Sequence, residues 1–364
     1  MGKKQAYSIL FAIILISVFL PVIFAQNEIQ PAEQAFVYKK VVFFVMQDSR
    51  DMYQIGVMDD TGKNKKILTN TGNNWCPSIS PAGDMVAFFS DRTGFTNLWM
   101  MDSDGRQQSR VTSDLDDIVK IDLINRGQIA WDKEGETVYF LKKGDIWKIY
   151  KSGETPSAIT DHHDISGFKL SPDGNRFVYA REKTKRHAGL WSMQVKGTGL
   201  RQIADSTIIS PAFDWGDDSV LAYFHNRGIS SMTYVGVENK YLKECFYLDN
   251  DIAWSKNGPD RKQNKIAFIS DAFGGPNIWI MNYDGTDAKQ ITEKGGFSPC
   301  WLPDGKNFLY VEGSDIFRIN TETRERLRLT YFFRAFYPVY CEIKLTGAVT
   351  ESVKTAGEAN ADKK

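Results

Sequence analysis

PSISPAGDMVAFFSDRTGFTNLWMMDSDGRQQSRVT, residues 77–112, reads as one complete β-sheet module. A short strand containing Ile79 ends in the turn Ser80-Pro81-Ala82-Gly83-Asp84, and Met85-Val86-Ala87-Phe88-Phe89 follows as a second strand. A polar turn over 90–94 leads into a third strand, Leu98-Trp99-Met100-Met101, which stops at the hairpin signal Asp104-Gly105. An edge-like fourth strand carries Arg110-Val111-Thr112. Strands of about five residues, bounded by Gly, Pro, Asp and Ser clusters, are the mark of antiparallel sheet.

The module recurs. Residues 251–292 repeat it with Ile252-Ala253-Trp254-Ser255, Lys265-Ile266-Ala267-Phe268-Ile269-Ser270-Asp271, Asn277-Ile278-Trp279-Ile280-Met281 and Asp284-Gly285. Residues 166–203 and 298–330 repeat it again, with turns at Ser171-Pro172-Asp173-Gly174 and Leu302-Pro303-Asp304-Gly305. Weaker copies occupy 130–160 and 210–245. Four short strands at a period of roughly 40–45 residues predict an all-β, closed propeller.

The module that opens at Val41 lacks its first strand, and Ala335-Phe336-Tyr337-Pro338-Val339-Tyr340-Cys341-Glu342-Ile343 reads as a lone first strand at the far end. Pairing the two completes a blade and closes the ring, which removes open sheet edges. With this composite blade the count is seven; six results if one weak module is irregular. Residues 41–346 are thus assigned to the propeller, 26–40 to a polar lead-in, and 347–364, without apolar periodicity, to a disordered tail.

The 45 basic and 45 acidic residues balance, which points away from nucleic acid and from anionic membrane surfaces. Lys3, Lys4, the apolar run 9–20 and Ile23-Phe24-Ala25 before Gln26 read as a signal peptide over 1–25, placing the chain in the periplasm or outside the cell. Cleavage leaves no stable membrane span. An uncleaved anchor is the alternative, because 9–25 is only slightly shorter than a span.

The Ser-Pro-Asp-Gly turn, the strand end Ala-Phe-x-Ser-Asp, the Leu/Ile-Trp-x-Met strand and the Asp-Gly hairpin resemble the WD40-like repeats of the TolB-like β-propeller family, over residues 41–343. In that family an α/β domain precedes the propeller; residues 26–40 are too short to hold one, so the resemblance covers the propeller part. It implies a non-enzymatic interaction scaffold with an envelope protein or lipoprotein as partner. It transfers no single contact residue, since the repeat motif marks structural positions.

Trp131, Trp215, Trp254 and Trp301 fall on first strands and Trp99, Trp147, Trp191 and Trp279 on third strands, a recurrence that argues for packing between blades. Trp75 lies outside both positions and is a candidate exposed contact. The second-to-third-strand turns carry Asp91, Arg92, Asp271, His225 and Arg227, and a link between blades carries His162-His163. In a propeller these turns and links share one face, so these residues are the candidate channel-mouth binding set. The competing reading is that Asp91 and Asp271 stabilise their own turns.

His162 and His163, with His225 from another blade, are weak candidates for a metal; both adjacent His binding one ion requires a loop geometry. No His-x-x-x-His, Cys-x-x-Cys or carboxylate cluster accompanies them, and a solvated loop pair is the competing reading. No cofactor is expected. The chain has no Gly-x-Ser-x-Gly and no phosphate loop, which points away from an enzyme. A polysaccharide lyase or hydrolase with a channel-mouth site remains the alternative, and a glycan or small-molecule sensor a third. Cys76, Cys300 and Cys341 lie at or beside first strands of consecutive blades, so a Cys300–Cys341 bridge would clasp the closure; buried thiols are the other reading.

Overall fold

The computed structural model describes residues 38–344 apart from 114–127, 154, 185–186, 209–211, 218, 226–227, 246–250, 257–260, 273 and 332–333. Residues 1–25, read as a signal peptide, residues 347–364, read as a tail, the central acidic part of the link 113–128 and Arg227 therefore lie outside the described residues.

Seven four-stranded antiparallel sheets form the blades of a β-propeller. Blade 1 is the composite: Ala335–Lys344 pairs with Tyr38–Gln47, followed by Tyr53–Asp59 and Lys66–Ile67. Blades 2 to 7 span 74–110, 129–158, 165–208, 213–244, 253–290 and 297–328. First strands touch between blades 2 and 3, 5 and 6, and 6 and 7, and the first strand of blade 1 meets those of blades 7 and 2, so the ring is closed by the chain's last described strand.

Each second strand is buried on both faces and reads as a near-continuous apolar run. Phe43, Phe44, Phe88, Phe89, Phe140, Phe177 and Phe224 are fully buried there. The apolar clusters sit between blades; one joins Ala87, Phe89 and Leu98 of blade 2 to Ile129, Trp131 and Val138 of blade 3. The repeated tryptophans belong to these interfaces. Trp131 donates from Nε1 to the Ser78 carbonyl of the preceding blade at 3.0 Å, and Trp301 does the same to Ala253 at 2.9 Å. Third-strand tryptophans are half-buried and roofed by cations, Arg92 at 4.5 Å from the Trp99 ring and Lys142 at 4.5 Å from Trp147.

The Asp-Gly and Thr-Gly hairpins join blades too. Gly62 of blade 1, at φ +78°, lies so close to blade 7 that a Cβ there would sit 2.7 Å from the Leu329 carbonyl oxygen. Only glycine combines that approach with a left-handed backbone, so this turn secures the closure.

A second device repeats inside the blades. A threonine after the fourth strand (Thr69, Thr112, Thr160, Thr292, Thr330) accepts from a third-strand N–H at 2.8–3.0 Å. The same hydroxyl donates to the first residue or second residue of that third strand: Gln54, Asn97, Asp145, Asn277 or Asp315. These polar groups are buried, and the clip satisfies them. Blades 4 and 5 have Gly189 and Gly228 at the corresponding third-strand position, and their fourth strands run longer, over Arg201–Ile208 and Lys240–Glu244.

All four cysteines are free thiols, so the Cys300–Cys341 clasp is not formed. The two thiols pack in different apolar clusters, on opposite sides of blade 1. Burial pushes the Cys76 thiol up to about 12 and the Cys341 thiol up to about 11, away from reactive thiolate.

Candidate functional site

The second-to-third-strand turns and the links between blades share one face, here the upper face. In blade 2 the Asp91 N–H donates to the Asn73 carbonyl of the incoming link at 3.2 Å. In blade 1 Arg334, just before the closing strand, reaches Asp51 in the turn at 3.0 Å.

Asp91 and Arg92 are consumed locally. Asp91 accepts from the backbone and side-chain nitrogens of Asn73 at 2.6 and 2.9 Å. Arg92 donates to Ser90, Gln108 and Asn74 at 2.9, 2.6 and 2.6 Å while covering Trp99. Its partial desolvation lowers the guanidinium pKa from the usual value. Asp271 is exposed, and its carbonyl closes its own turn by accepting from Gly274 at 3.2 Å. His225 ends its strand with the ring edge-on to Tyr223, centroids 5.9 Å apart. Trp75 is 8 % exposed and packs in the core between blades 2 and 3, because the first strand begins at Asn74 and draws it inward; it is not a surface contact.

His162 and His163 occupy the link into blade 4. The His162 ring stacks on Tyr179, its Nε2 3.4 Å from the phenol oxygen. His163 sits at φ +59° with Nδ1 2.5 Å from Asp145 Oδ2. Asp145 also accepts from the N–H groups of His162 and His163 and from Thr160. Among the described residues no hydrogen bond links Asp91 or Arg92 to these histidines or to Asp271, and no group of three or more His, Cys, Asp and Glu is placed to hold a metal ion. The described polar candidates are thus distributed over blades 2 to 6 of this face.

What composition hid is an apolar arc on the same face. Phe95, in the blade 2 turn, is 57 % exposed, and Tyr331, in the link from blade 7 to blade 1, is 55 % exposed. Phe297 opens the first strand of blade 7 and Met52 ends the blade 1 turn; both are exposed. Blades 7, 1 and 2 are consecutive through the closure. The other exposed large apolar residues among those described lie on outer strands or at the opposite face: Ile67, Tyr150, Leu200, Val237, Tyr241 and Leu327. Exposed aromatic and apolar side chains on one face are what interaction surfaces are built from.

The arc is held in shape by polar groups beneath it. Asp48 accepts from the backbone N–H of Arg50 at 2.8 Å and of Met52 at 3.1 Å, which fixes the turn that presents Met52. The Arg50 guanidinium, bound to the same carboxylate at 2.6 Å, holds Asp48 down at about 2 despite some desolvation. Arg50 also donates to the Asn70 carbonyl at 2.9 Å, tying the turn to the next link. Arg328 and Lys65 lie over the Tyr331 ring at 4.6 and 5.8 Å from its centroid.

No family model matches the chain. The curated Tol-Pal system protein TolB of Zymomonas mobilis subsp. mobilis is 36 % identical over 66 residues, which cover 18 % of this chain and 14 % of that protein. TolB from Acinetobacter baumannii superposes with a TM-score of 0.53 at 14 % identity, over 82 % of this chain and 66 % of that one. An oligogalacturonate lyase in complex with manganese gives 0.54 at 12 % identity, over 80 % and 85 %. A puromycin-hydrolyzing peptidase of Mycobacterium tuberculosis gives 0.60 at 11 %, over 80 % of this chain and 52 % of that one. The match thus spans 14 % of the curated TolB relative and 66 % of the Acinetobacter baumannii TolB chain. At these identities the structures share the fold alone, and the fold is a TolB-like propeller. In the described residues no helix is long and apolar enough to cross a membrane.

Proposed function

We propose that this chain is an exported propeller that acts as an interaction scaffold, binding a protein or lipoprotein of the cell envelope through the apolar arc over blades 7, 1 and 2. The observation that carries the reading is that, among the described residues, the exposed large apolar side chains of the upper face, Phe95, Tyr331, Phe297 and Met52, lie on three consecutive blades. The TolB likeness supports a protein as the partner. The targeting segment supports the periplasm or the exterior as the place.

A lyase or hydrolase needs acid and base groups within reach of one substrate position. Asp91 and Arg92 are committed to structural bonds within blade 2, so they do not favour that reading. No observation favours a glycan or small-molecule sensor over protein binding.

The test is crosslinking capture from the host envelope with the chain from Gln26 as bait, followed by mass spectrometry. One dominant protein is expected, lost with Phe95→Gly combined with Tyr331→Asp and retained with His162→Ala combined with His163→Ala. A capture that survives the first pair and fails with the second overturns the assignment of the arc.

A further inference from the structure

The propeller carries its own internal controls, and blade 3 departs from them at two positions together. Three residues after the clip threonine, blades 1 and 6 place Gly72 and Gly295 in the left-handed region, at φ +61° and +89°. Blade 3 places His163 there, at φ +59°. The clip residue facing this position is an amide in those blades, Gln54 and Asn277, and a carboxylate in blade 3, Asp145. The backbone bond is the same in both settings: Gly295 N–H donates to Asn277 at 3.0 Å and His163 N–H to Asp145 at 3.3 Å. What blade 3 adds to a shared scaffold is an imidazole on a buried carboxylate.

Blade 7 also has a carboxylate in its clip, Asp315, but there Arg328 pairs with it. An arginine only balances charge. An imidazole held through Nδ1 keeps a second nitrogen for chemistry. The His163 side chain is 75 % exposed while that of Asp145 is 4 % exposed. The neighbouring carboxylate Asp164 is bound by Arg181 in a two-point pair at 2.8 and 2.9 Å, so it does not compete for the ring. Every partner of Asp145 is a donor, Thr160 Oγ and the N–H groups of His162 and His163, so Nδ1 is a donor as well, and in the neutral ring the lone pair then sits on Nε2.

We propose that Asp145 and His163 form a proton-accepting site on the upper face, in which Nε2 takes a proton from a hydroxyl-bearing ligand or from water. The buried carboxylate fixes the tautomer and stabilises the ring once the proton is taken, as the orienting acid does for any Asp-His pair. His163 is the group that meets the ligand; Asp145 is its positioning residue. A water deprotonated in this way attacks an ester carbonyl: the water oxygen bonds to the acyl carbon, the carbon–alkoxy bond breaks, and the proton passes from Nε2 to the solvent or the leaving oxygen.

The probe is p-nitrophenyl acetate hydrolysis by the full chain, with thermal unfolding measured alongside. Asp145→Asn combined with His163→Gly rebuilds in blade 3 the Asn277 and Gly295 pair that blade 6 already uses. That variant is expected to keep its unfolding midpoint and to lose about 10-fold or more of the protein-dependent rate. Asp145→Asn alone is expected to lower the rate with the imidazole still present. An unchanged rate in the double variant, or an unfolding midpoint that falls with it, overturns the proposal: the first shows that the ring is not reactive, the second that the pair is structural.

Discussion

Blades 2 and 6 enter their third strands through turns of equal length, Ser90 to Asn97 and Ser270 to Asn277, with Gly94 and Gly274 at nearly the same φ, +94° and +93°. The next residue is Phe95 in one and Gly275 in the other. After the clip threonine the links continue with Asn70, Ser113, Asp161 and Glu293, but with Tyr331 between blades 7 and 1. Phe297 opens its first strand exposed where Ile165, five residues past the corresponding threonine, is buried. Among the described residues, the exposed large apolar side chains of the upper face thus fall on blades 7, 1 and 2. Fold is set at the positions that repeat, and binding at the positions that do not.

The comparison breaks most completely if the ring is opened. Removing 335–364 deletes the first strand of blade 1 and exposes the apolar residues packed against it, Val42, Phe44 and Leu329 on one side and Val41 and Phe43 on the other. Thermal unfolding of that truncation is expected to lose its single cooperative transition; an unchanged transition contradicts closure by this strand.

A smaller effect is expected in the clip. Thr292→Val removes a buried hydroxyl that bonds Ile278 N–H at 2.8 Å and Asn277 at 3.2 Å. Leaving these groups short of a partner costs about 1–3 kcal/mol, read as a lower denaturant midpoint. In blade 4 the position is already Ala204, facing Leu190, so Ala204→Val is expected to cost less; equal losses would show that the clip adds nothing.

The smallest effect concerns acid. The Asp48 carboxyl is depressed, so its contribution to the Met52 turn is fully present above the unfolded value of about 3.9 and is lost as pH falls toward about 2. Because the group is at the surface, the expected change is a loosened turn rather than an unfolded protein. Amide exchange at Arg50 and Met52 is expected to speed up between pH 4 and 2, within the interval bounded by those two values. Exchange that is flat across this window contradicts the assigned role.

The blades were legible in the sequence because each needs the same short strands, the same turn glycines and the same interface tryptophans, so the signal repeats. The composite blade was legible from a missing strand at one end and a spare one at the other. The site was less legible for the same physical reason. Asp91 and Asp271 stood out because they recur, and Asp91 recurs to hold its link through Asn73. Trp75 looked exposed because the bulge between Trp75 and Ser78 breaks the strand pattern that would have placed it inside. Phe95 and Tyr331 carry no motif; aligning the modules against one another, and looking for the aromatic where the siblings have Gly, Asn, Asp or Glu, is the signal that finds them. Asp145 and His163 yield to the same alignment.

The central claim is best tested by placing a photo-crosslinking amino acid at Phe95 in one chain and at Gly275 in another, each expressed in the host. The two turns match in length and glycine conformation, and of the two only that of blade 2 belongs to the arc over blades 7, 1 and 2. A protein adduct of one defined mass at position 95, absent at 275, is the expected result. Adducts at both positions, or at 275 alone, would contradict binding through the apolar arc.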